Sequence, residues 1–355
     1  MSKKFFFRSL RVRNFRVFND LHIENFKRIN VIGGFNGAGK SALLETLFLL
    51  VDLKNPICLV RPYSWRKTGI MGQEGLKMLF QSDSQPGEID FGFRDGDKSV
   101  RIELCALPQS ALSAISASVI PRTTAGGSSV LSKEGIRVSM RGKSEEYESF
   151  LIPHNEGYVG TITKFSDLQT PFCQMLSPNL RVLSPEMAEW LSDCIKGGKK
   201  DAVIEHLKIL DPSIQDLLIL QNTAGPIIYA KRPSGLIPIE LLGDGFNSLL
   251  TTLLSIFRFK NSIVLLDEVD TSIHYSVTAK FWEIVASAAN EADCQIFAAS
   301  HSREAILNAA AGIAKSGFKL DFQYMRIERS NDSHRAIVYS YDDIMNASEH
   351  GFEFR

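Results

Sequence analysis

The sequence predicts an α/β fold built around a largely parallel sheet, and three observations predict it. Ile29–Ile32 is a short apolar strand, Gly33–Gly39 a glycine-rich loop, and Lys40–Val51 a helix carrying Leu43, Leu44, Leu47, Phe48, Leu50 and Val51. From Pro226 onward strand and helix patterns alternate, as strands joined by helical crossovers must. Phe5–Leu21 and Ile89–Leu107 instead repeat every two residues, the period of half-exposed antiparallel strands.

Taken in order, the opening segment sets Leu10, Val12, Phe15 and Val17 between Arg11, Arg13 and Arg16. The next hairpin runs from Glu88 to Leu104, with Asp95-Gly96 supplying the turn chemistry. Residues 108–132 are rich in serine, alanine and glycine and read as a mobile or weakly helical insertion. Ser184 is positioned to cap a helix with Pro185 in its first turn, and a second helix spans Asp201–Leu210 before Pro212. Phe246–Phe257 and Ile273–Ala288 read as helices, Ile263–Leu266 and Gln295–Ala299 as buried strands, and Phe322–Glu328 and Ala336–Ser340 as strands of the tail. Asp342 and Asp343 read as acids at a helix start.

Composition narrows the function classes. The 355 residues are 44% hydrophobic, enough for a sizeable core, and 40 lysines and arginines balance 40 aspartates and glutamates. No global positive field therefore marks a nucleic-acid partner. The five cysteines, Cys58, Cys105, Cys173, Cys194 and Cys294, form no C-x-x-C pair, which argues against a disulfide framework and a zinc site and fits a reducing cytoplasm. The N-terminal apolar run is three phenylalanines, too short for a signal peptide, and charges or prolines interrupt every later apolar stretch before spanning length, so no membrane partner is expected.

Gly34-x-x-x-x-Gly39-Lys40-Ser41 has the residue types a polyphosphate requires. Glycines let the backbone N–H groups of Gly34, Asn36, Gly37, Ala38 and Gly39 converge on phosphate oxygens. Lys40 supplies a compact cation for the β- and γ-phosphates, Ser41 a hydroxyl for Mg²⁺, and the helix N-terminus its partial positive charge. Strand Ile263–Leu266 delivers Asp267 and Glu268 at its carboxyl end, where open α/β sheets bind ligands. Asp267 would complete the Mg²⁺ site and Glu268 would polarise the attacking water; the alternative is a strand ending in exposed acids. Strand Gln295–Ala299 ends at Ser300-His301-Ser302, where His301 reads as a γ-phosphate contact or as an ordinary helix-cap residue.

These residues resemble the ABC-type ATPases of the RecF, SMC and OLD (overcoming lysogenization defect) kind. The likeness lies in Asn14-Phe15-Arg16-Val17-Phe18, in Gly34–Glu45, in Leu242-Gly243-Asp244-Gly245, and in Leu265–His274 with Ser300-His301-Ser302. The resemblance implies a P-loop NTPase of ABC-ATPase type, with a mixed central sheet, an antiparallel β subdomain and an inserted helical arm. It divides the chain into an N-terminal half of the ATPase head (1–107), the arm (108–225) and a C-terminal half (226–355). It also implies that Gly243, Asp244 and Gly245 belong to a signature loop meeting the nucleotide of a second subunit, that Asp270 communicates across that interface, and that His301 is the switch histidine. Relatives often carry basic residues after the signature, whereas this chain has Phe246-Asn247-Ser248. The glutamine linking nucleotide to arm has no clear counterpart, Gln73 and Gln81 being candidates that read more simply as surface residues.

ATP and Mg²⁺ are the implied cofactors, and a homodimer or higher homo-oligomer the implied assembly. Full-length OLD proteins continue into a Toprim nuclease domain, for which too few residues follow His301. The expectation is therefore a stand-alone, cytoplasmic ATPase switching a separately encoded effector, a nuclease or toxin, as in bacterial anti-phage systems. The alternative is a RecF-like DNA-repair clamp, for which the basic stretch Arg8, Arg11, Arg13, Arg16, Lys27 and Arg28 is the available surface. The motor subunit of a transporter ranks last.

Overall fold

A computed structural model describes residues 5–66, 68, 72–118, 132–154, 157–166, 170–178, 180, 182–223, 225–271, 273–330 and 333–353. The chain opens with β1 (Phe7–Phe15) and β2 (Phe18–Glu24), a hairpin turning at Arg16 and Val17. Strand β3 (Ile29–Gly33) leads through the glycine loop into α1 (Lys40–Val51), followed by the short α2 (Arg61–Trp65) and α3 (Gly72–Lys77). Then come β4 (Gly87–Phe93), β5 (Gly96–Ala106), α4 (Gln109–Ser118), β6 (Glu134–Arg141), β7 (Glu146–His154), β8 (Gly157–Phe165) and β9 (Phe172–Leu176). Helices α5 (Ser184–Lys196) and α6 (Lys200–Leu210) precede β10 (Asp216–Asn222), β11 (Gly225–Arg232) and β12 (Gly235–Pro238). The last third holds α7 (Asp244–Arg258), β13 (Ser262–Leu266), α8 (Tyr275–Glu291), β14 (Gln295–Ala299), α9 (Arg303–Lys315), β15 (Phe322–Ser330), β16 (Ser333–Tyr339) and α10 (Tyr341–Glu349).

The chain forms two compact units, each assembled from separated segments. Residues 1–25, 45–170 and 329–336 make the first, whose seven-stranded antiparallel sheet has the order β2-β1-β4-β5-β6-β7-β8. Period-two patterning does what it predicts here. Leu10, Val12, Ile89, Val100, Ile102, Ile136 and Val138 are buried on one face. On the other face Arg13 pairs with Glu88 and Asp90, Arg101 with Glu88 and Glu103, and Arg137 with Glu103 and Glu148. Unlike charges on neighbouring strands of one face support the pairing register.

Residues 26–44, 171–328 and 337–355 make the second unit. Its six-stranded sheet has the order β16-β15-β3-β14-β13-β9, with every pair from β15 through β9 parallel. Strands β3, β13 and β14 are buried at every residue, which is why they read as unbroken apolar runs. The core is apolar and includes Trp190, Trp282, Phe281, Leu249, Leu253 and Ile313. Arg28 is buried beside it, donating to the Ala289 and Cys294 carbonyls and pairing with Asp293 at 2.8 Å. Strands β10, β11 and β12 form a separate antiparallel sheet.

The range 108–225 differs from the helical arm expected for it. Residues 134–165 form β6, β7 and β8, which extend the antiparallel sheet, and β9 joins the parallel one as the neighbour of β13. Helices α5 and α6 are the helical part of the range, together with α4 within residues 108–118, while residues 119–131 of the serine- and alanine-rich stretch lie outside the described residues. Consequently the blocks 1–107, 108–225 and 226–355 do not coincide with the two units. The α5 cap also shifts by one residue: Leu183 occupies the cap position without a side-chain bond, and Ser184 is already helical. At α10 the expected helix-start acid appears as a capping box, Asp343 accepting from the Ser340 backbone while the Ser340 hydroxyl accepts from the Asp343 N–H.

Candidate functional site

Between β3 and α1 the chain must turn sharply enough to point several N–H groups inward, and glycine makes that turn possible. Gly34, Gly37 and Gly39 have φ of 129°, 79° and 99°, where L side chains are strained. At Gly34 space is short as well, since a Cβ would lie 2.3 Å from the Ile327 carbonyl oxygen on β15. Helix α1 begins at Lys40 and carries no acid in its own first turn, so no residue of that turn opposes the positive end of its dipole. Lys40 is only 4% exposed, and its ammonium donates to the carbonyls of Gly34 at 2.7 Å and Phe35 at 3.0 Å. Burial pulls the Lys40 pKa below the usual lysine range, and the nearby Asp267, Asp270 and Glu268 offset that in part.

The acids arrive from β13. The Ser41 hydroxyl donates to Asp267 Oδ1 at 3.1 Å, closing the loop onto the strand end, and the Asp267 N–H donates to the Leu176 carbonyl of β9. Glu268 sits at φ 49°, a left-handed conformation uncommon for a residue with a long side chain. Its carbonyl accepts from both the N–H and the hydroxyl of Thr271, which hold this turn. Asp270 Oδ2 accepts from the His301 N–H at 3.2 Å, while its buried Oδ1 has no protein hydrogen-bond partner among the described residues. Ser300, at the end of β14, donates its N–H to Ile32 of β3, and Ser302 caps α9 by accepting from Ala305. Ser302, not His301, is thus the helix-cap residue.

The second unit therefore brings together Gly34 to Ser41, Asp267, Glu268, Asp270 and His301 at the carboxyl ends of β3, β13 and β14, where such sheets bind ligands. A cradle of backbone N–H groups with a desolvated ammonium suits a polyphosphate, and a hydroxyl facing a carboxylate suits a hard divalent cation. The signature residues are exposed instead. Gly243 has φ 86° and occupies the cap position before α7, accepting at its carbonyl from the N–H and side-chain amide of Asn247. Gly243 and Asp244 lie in solvent, and a Cβ at Gly243 or Gly245 would meet nothing within 4 Å.

Sequence reading missed β9, whose end meets Asp267 and whose Gln174 stands in register with Val264 of β13. Phe172-Cys-Gln-Met-Leu176 mixes apolar and polar residues without a clear period, so only its parallel pairing reveals it. Gln73 and Gln81 are occupied in the other unit, Gln73 donating to Ser132 and Gln81 to the Arg16 carbonyl.

Fold and site together define a P-loop ATPase of the ABC type. Residues 204–308 match the family described as "AAA domain, putative AbiEii toxin, Type IV TA system", and residues 9–103 match a second family, described as AAA domain. Over 323 residues, 84% of this chain and 86% of the relative, the sequence is 23% identical to an ATP/GTP phosphatase of Helicobacter pylori. A shorter stretch of 94 residues, 25% of this chain and 42% of the relative, is 32% identical to an uncharacterized protein of Methanocaldococcus jannaschii. Among solved structures, an SMC head bound to the C-winged helix domain of ScpA superposes with a TM-score of 0.52 at 12% identity, covering 96% of this chain and 99% of that one, a likeness of fold. The chain is an ATP-hydrolysing enzyme similar to the OLD and RecF–SMC kind of ABC ATPase. No described helix is long and apolar enough to cross a membrane.

Proposed function

We propose that this ATPase is a nucleotide-dependent dimeric switch or scaffold, in which two copies close around two ATP molecules and the closed state controls a separately encoded nuclease or toxin in anti-phage defence. The backbone of Gly34, Asn36, Gly37, Ala38 and Gly39 cradles the polyphosphate and Lys40 neutralises its β- and γ-phosphates. Ser41 and Asp267 hold Mg²⁺, which supplies charge neutralisation to the phosphates when bound. Glu268 orients the attacking water, and His301, held by Asp270 through its backbone, faces the γ-phosphate. Gly243, Asp244 and Gly245 come from the other copy, with Asp270 at the junction.

One observation carries the dimeric part. Large apolar side chains stand in water at both halves of the composite site: Phe35 in the phosphate loop is 68% exposed and Leu241 before the signature is 72% exposed. Solvent-facing apolar groups beside the two loops are what a second copy would cover. The match to a family described by a toxin–antitoxin system supports an effector partner. DNA clamping is the weaker reading, because Arg8, Arg11, Arg13, Arg16 and Arg28 each face a carboxylate (Asp97, Asp20, Glu88, Glu45 and Asp293). The scatter of the five cysteines, with no C-x-x-C pair in the sequence, supports a cytoplasmic location.

Glu268→Gln tests the switch. It should bind Mg–ATP, hydrolyse it at least about a hundredfold more slowly, and run as a dimer in size-exclusion chromatography with ATP. A Glu268→Gln protein that turns over at the normal rate would remove Glu268 from the chemistry, and one that stays monomeric at saturating ATP would remove the composite site. Retention of the product of a neighbouring reading frame by the ATP-loaded variant supports the effector role; retention of duplex DNA in its place overturns it.

A further inference from the structure

We propose that Glu328, held by Arg326, binds the ribose hydroxyls of the nucleotide and makes the enzyme selective for ribonucleotides over deoxyribonucleotides. The inference rests on the phosphate-loop reading of the site and deepens it. Strand β15 is the parallel neighbour of β3, with Met325 opposite Ile32 and Arg326 opposite Gly33. Neighbouring strands lie about 4.8 Å apart. Past Gly33 the contact continues into the loop, where the Ile327 carbonyl oxygen fills the space a Cβ on Gly34 would need. Glu328 follows directly, so β15 delivers an acid beside the first residues of the phosphate loop. An acid near the glycine-rich loop of a parallel sheet is also how dinucleotide-binding folds hold a ribose 2′-hydroxyl.

The flank is the right one for a nucleoside. Asp267, Glu268 and His301 stand on the other side of β3, at the ends of β13 and β14. A terminal phosphate served by those groups points toward them, and the nucleoside end of the same molecule lies toward β15. A bare carboxylate beside a polyphosphate would repel it. Arg326 cancels that charge: its guanidinium pairs with Glu328 Oε1, donates to the Glu353 carbonyl at 3.4 Å and lies 6.0 Å from the centre of the Tyr339 ring. A carboxylate has about four acceptor positions, so the ion pair leaves capacity for a hydroxyl of the sugar. Both side chains are partly buried, which keeps the carboxylate ordered while leaving it open to a ligand. Arg326 is thus a positioning residue for the group that touches the substrate.

Calorimetric titration with ADP, 2′-deoxy-ADP, 3′-deoxy-ADP and pyrophosphate, each with Mg²⁺, tests this without turnover of ATP. The parent should bind ADP at least about fivefold more tightly than one or both deoxy forms, as befits one charge-assisted hydrogen bond in a partly solvated site. Glu328→Gln should cut that preference to about twofold or less and leave pyrophosphate affinity within about twofold of the parent. Arg326→Gln should lower the preference too, and weaken pyrophosphate because the carboxylate is left unneutralised; an unchanged preference there overturns the positioning role. Equal binding of ADP and both deoxy forms by the parent overturns the proposal without recourse to any variant. So does a Glu328→Gln protein that keeps the preference, or one that loses pyrophosphate as fully as ADP, the mark of a structural role. A parent that binds neither ADP nor pyrophosphate removes the phosphate-loop reading and this inference with it, an outcome distinct from binding both without sensing the ribose.

Discussion

Lys40→Met exposes the price of the site most directly. In the absence of nucleotide the buried ammonium makes two charge-assisted hydrogen bonds, to Gly34 and Phe35, each worth about 1.5–3 kcal/mol. Against them stands its desolvation, several kcal/mol for a buried ion and the cause of its lowered pKa. The two nearly cancel, so a methionine of similar length should leave the thermal midpoint within about 3 °C of the parent or raise it. Nucleotide binding has no such compensation. A unit phosphate charge about 3 Å from the ammonium, at an effective dielectric of about 20, contributes about 5.5 kcal/mol. If half of that is lost, about 2.8 kcal/mol, ATP affinity falls about a hundredfold. Titration with a fluorescent ATP analogue alongside differential scanning fluorimetry measures both. Binding within threefold of the parent, or a midpoint lowered by more than about 6 °C, would refute the view that Lys40 is held there for phosphate at no benefit to the fold.

Two further outcomes follow from the same geometry. Gly34→Ala puts a Cβ at φ 129° against the Ile327 carbonyl oxygen and should cost more than about 2 kcal/mol in urea unfolding, whereas Gly37→Ala, strained but unobstructed, should cost less. His334 is buried against the edge of Phe18, with neither ring nitrogen hydrogen-bonded among the described residues, and burial lowers its pKa, assisted by Arg329. A depressed folded pKa means that the unfolded chain takes up the proton first, so stability is fully present above about pH 6.5 and declines as pH falls from there through the folded value. His334→Leu should flatten that decline in chemical-denaturation midpoints between about pH 7 and 5; an unchanged slope would assign the acid sensitivity elsewhere.

What the sequence made legible follows from how strongly burial writes itself into residue order. Strands β3, β13 and β14 are buried on both faces and read as continuous apolar runs, so the phosphate loop, Asp267, Glu268 and His301 could each be placed at a strand end. Strand β8 carries the opposite message: it has no fully buried residue, its side chains being half-buried or exposed throughout, and leaves no period to detect. In β7 the buried run Ser149–Pro153 contains a proline, which argues against a strand interior, although the structure tolerates it beside β8. The β1–β2 turn was legible only as composition. Its left-handed residues are Asn14, at φ 46°, and Arg16, at φ 57°, and arginine is not a residue that announces such a turn. At the signature, Phe246-Asn247-Ser248 gives no basic cue, yet Asn247 ties its amide back to Gly243 and so stiffens the loop by another route.

The segmental make-up of the two units has a consequence for biosynthesis. The chain leaves one unit for the other after residues 25, 44, 170, 328 and 336. A ribosome delivering it from the N-terminus releases β1 to β8 early, but the first unit lacks its share of β16 until residue 336 has emerged, and β3 waits for β13, β14 and β15 through most of synthesis. The phosphate loop is thus made long before the acidic partners it meets, which arrive with β13. Nascent chains of this protein would hold apolar strand edges open for long intervals, a state in which chaperone capture competes with aggregation. For the same reason no single cut yields either unit intact, and fragments for study would have to be rejoined by circular permutation or short linkers rather than by truncation.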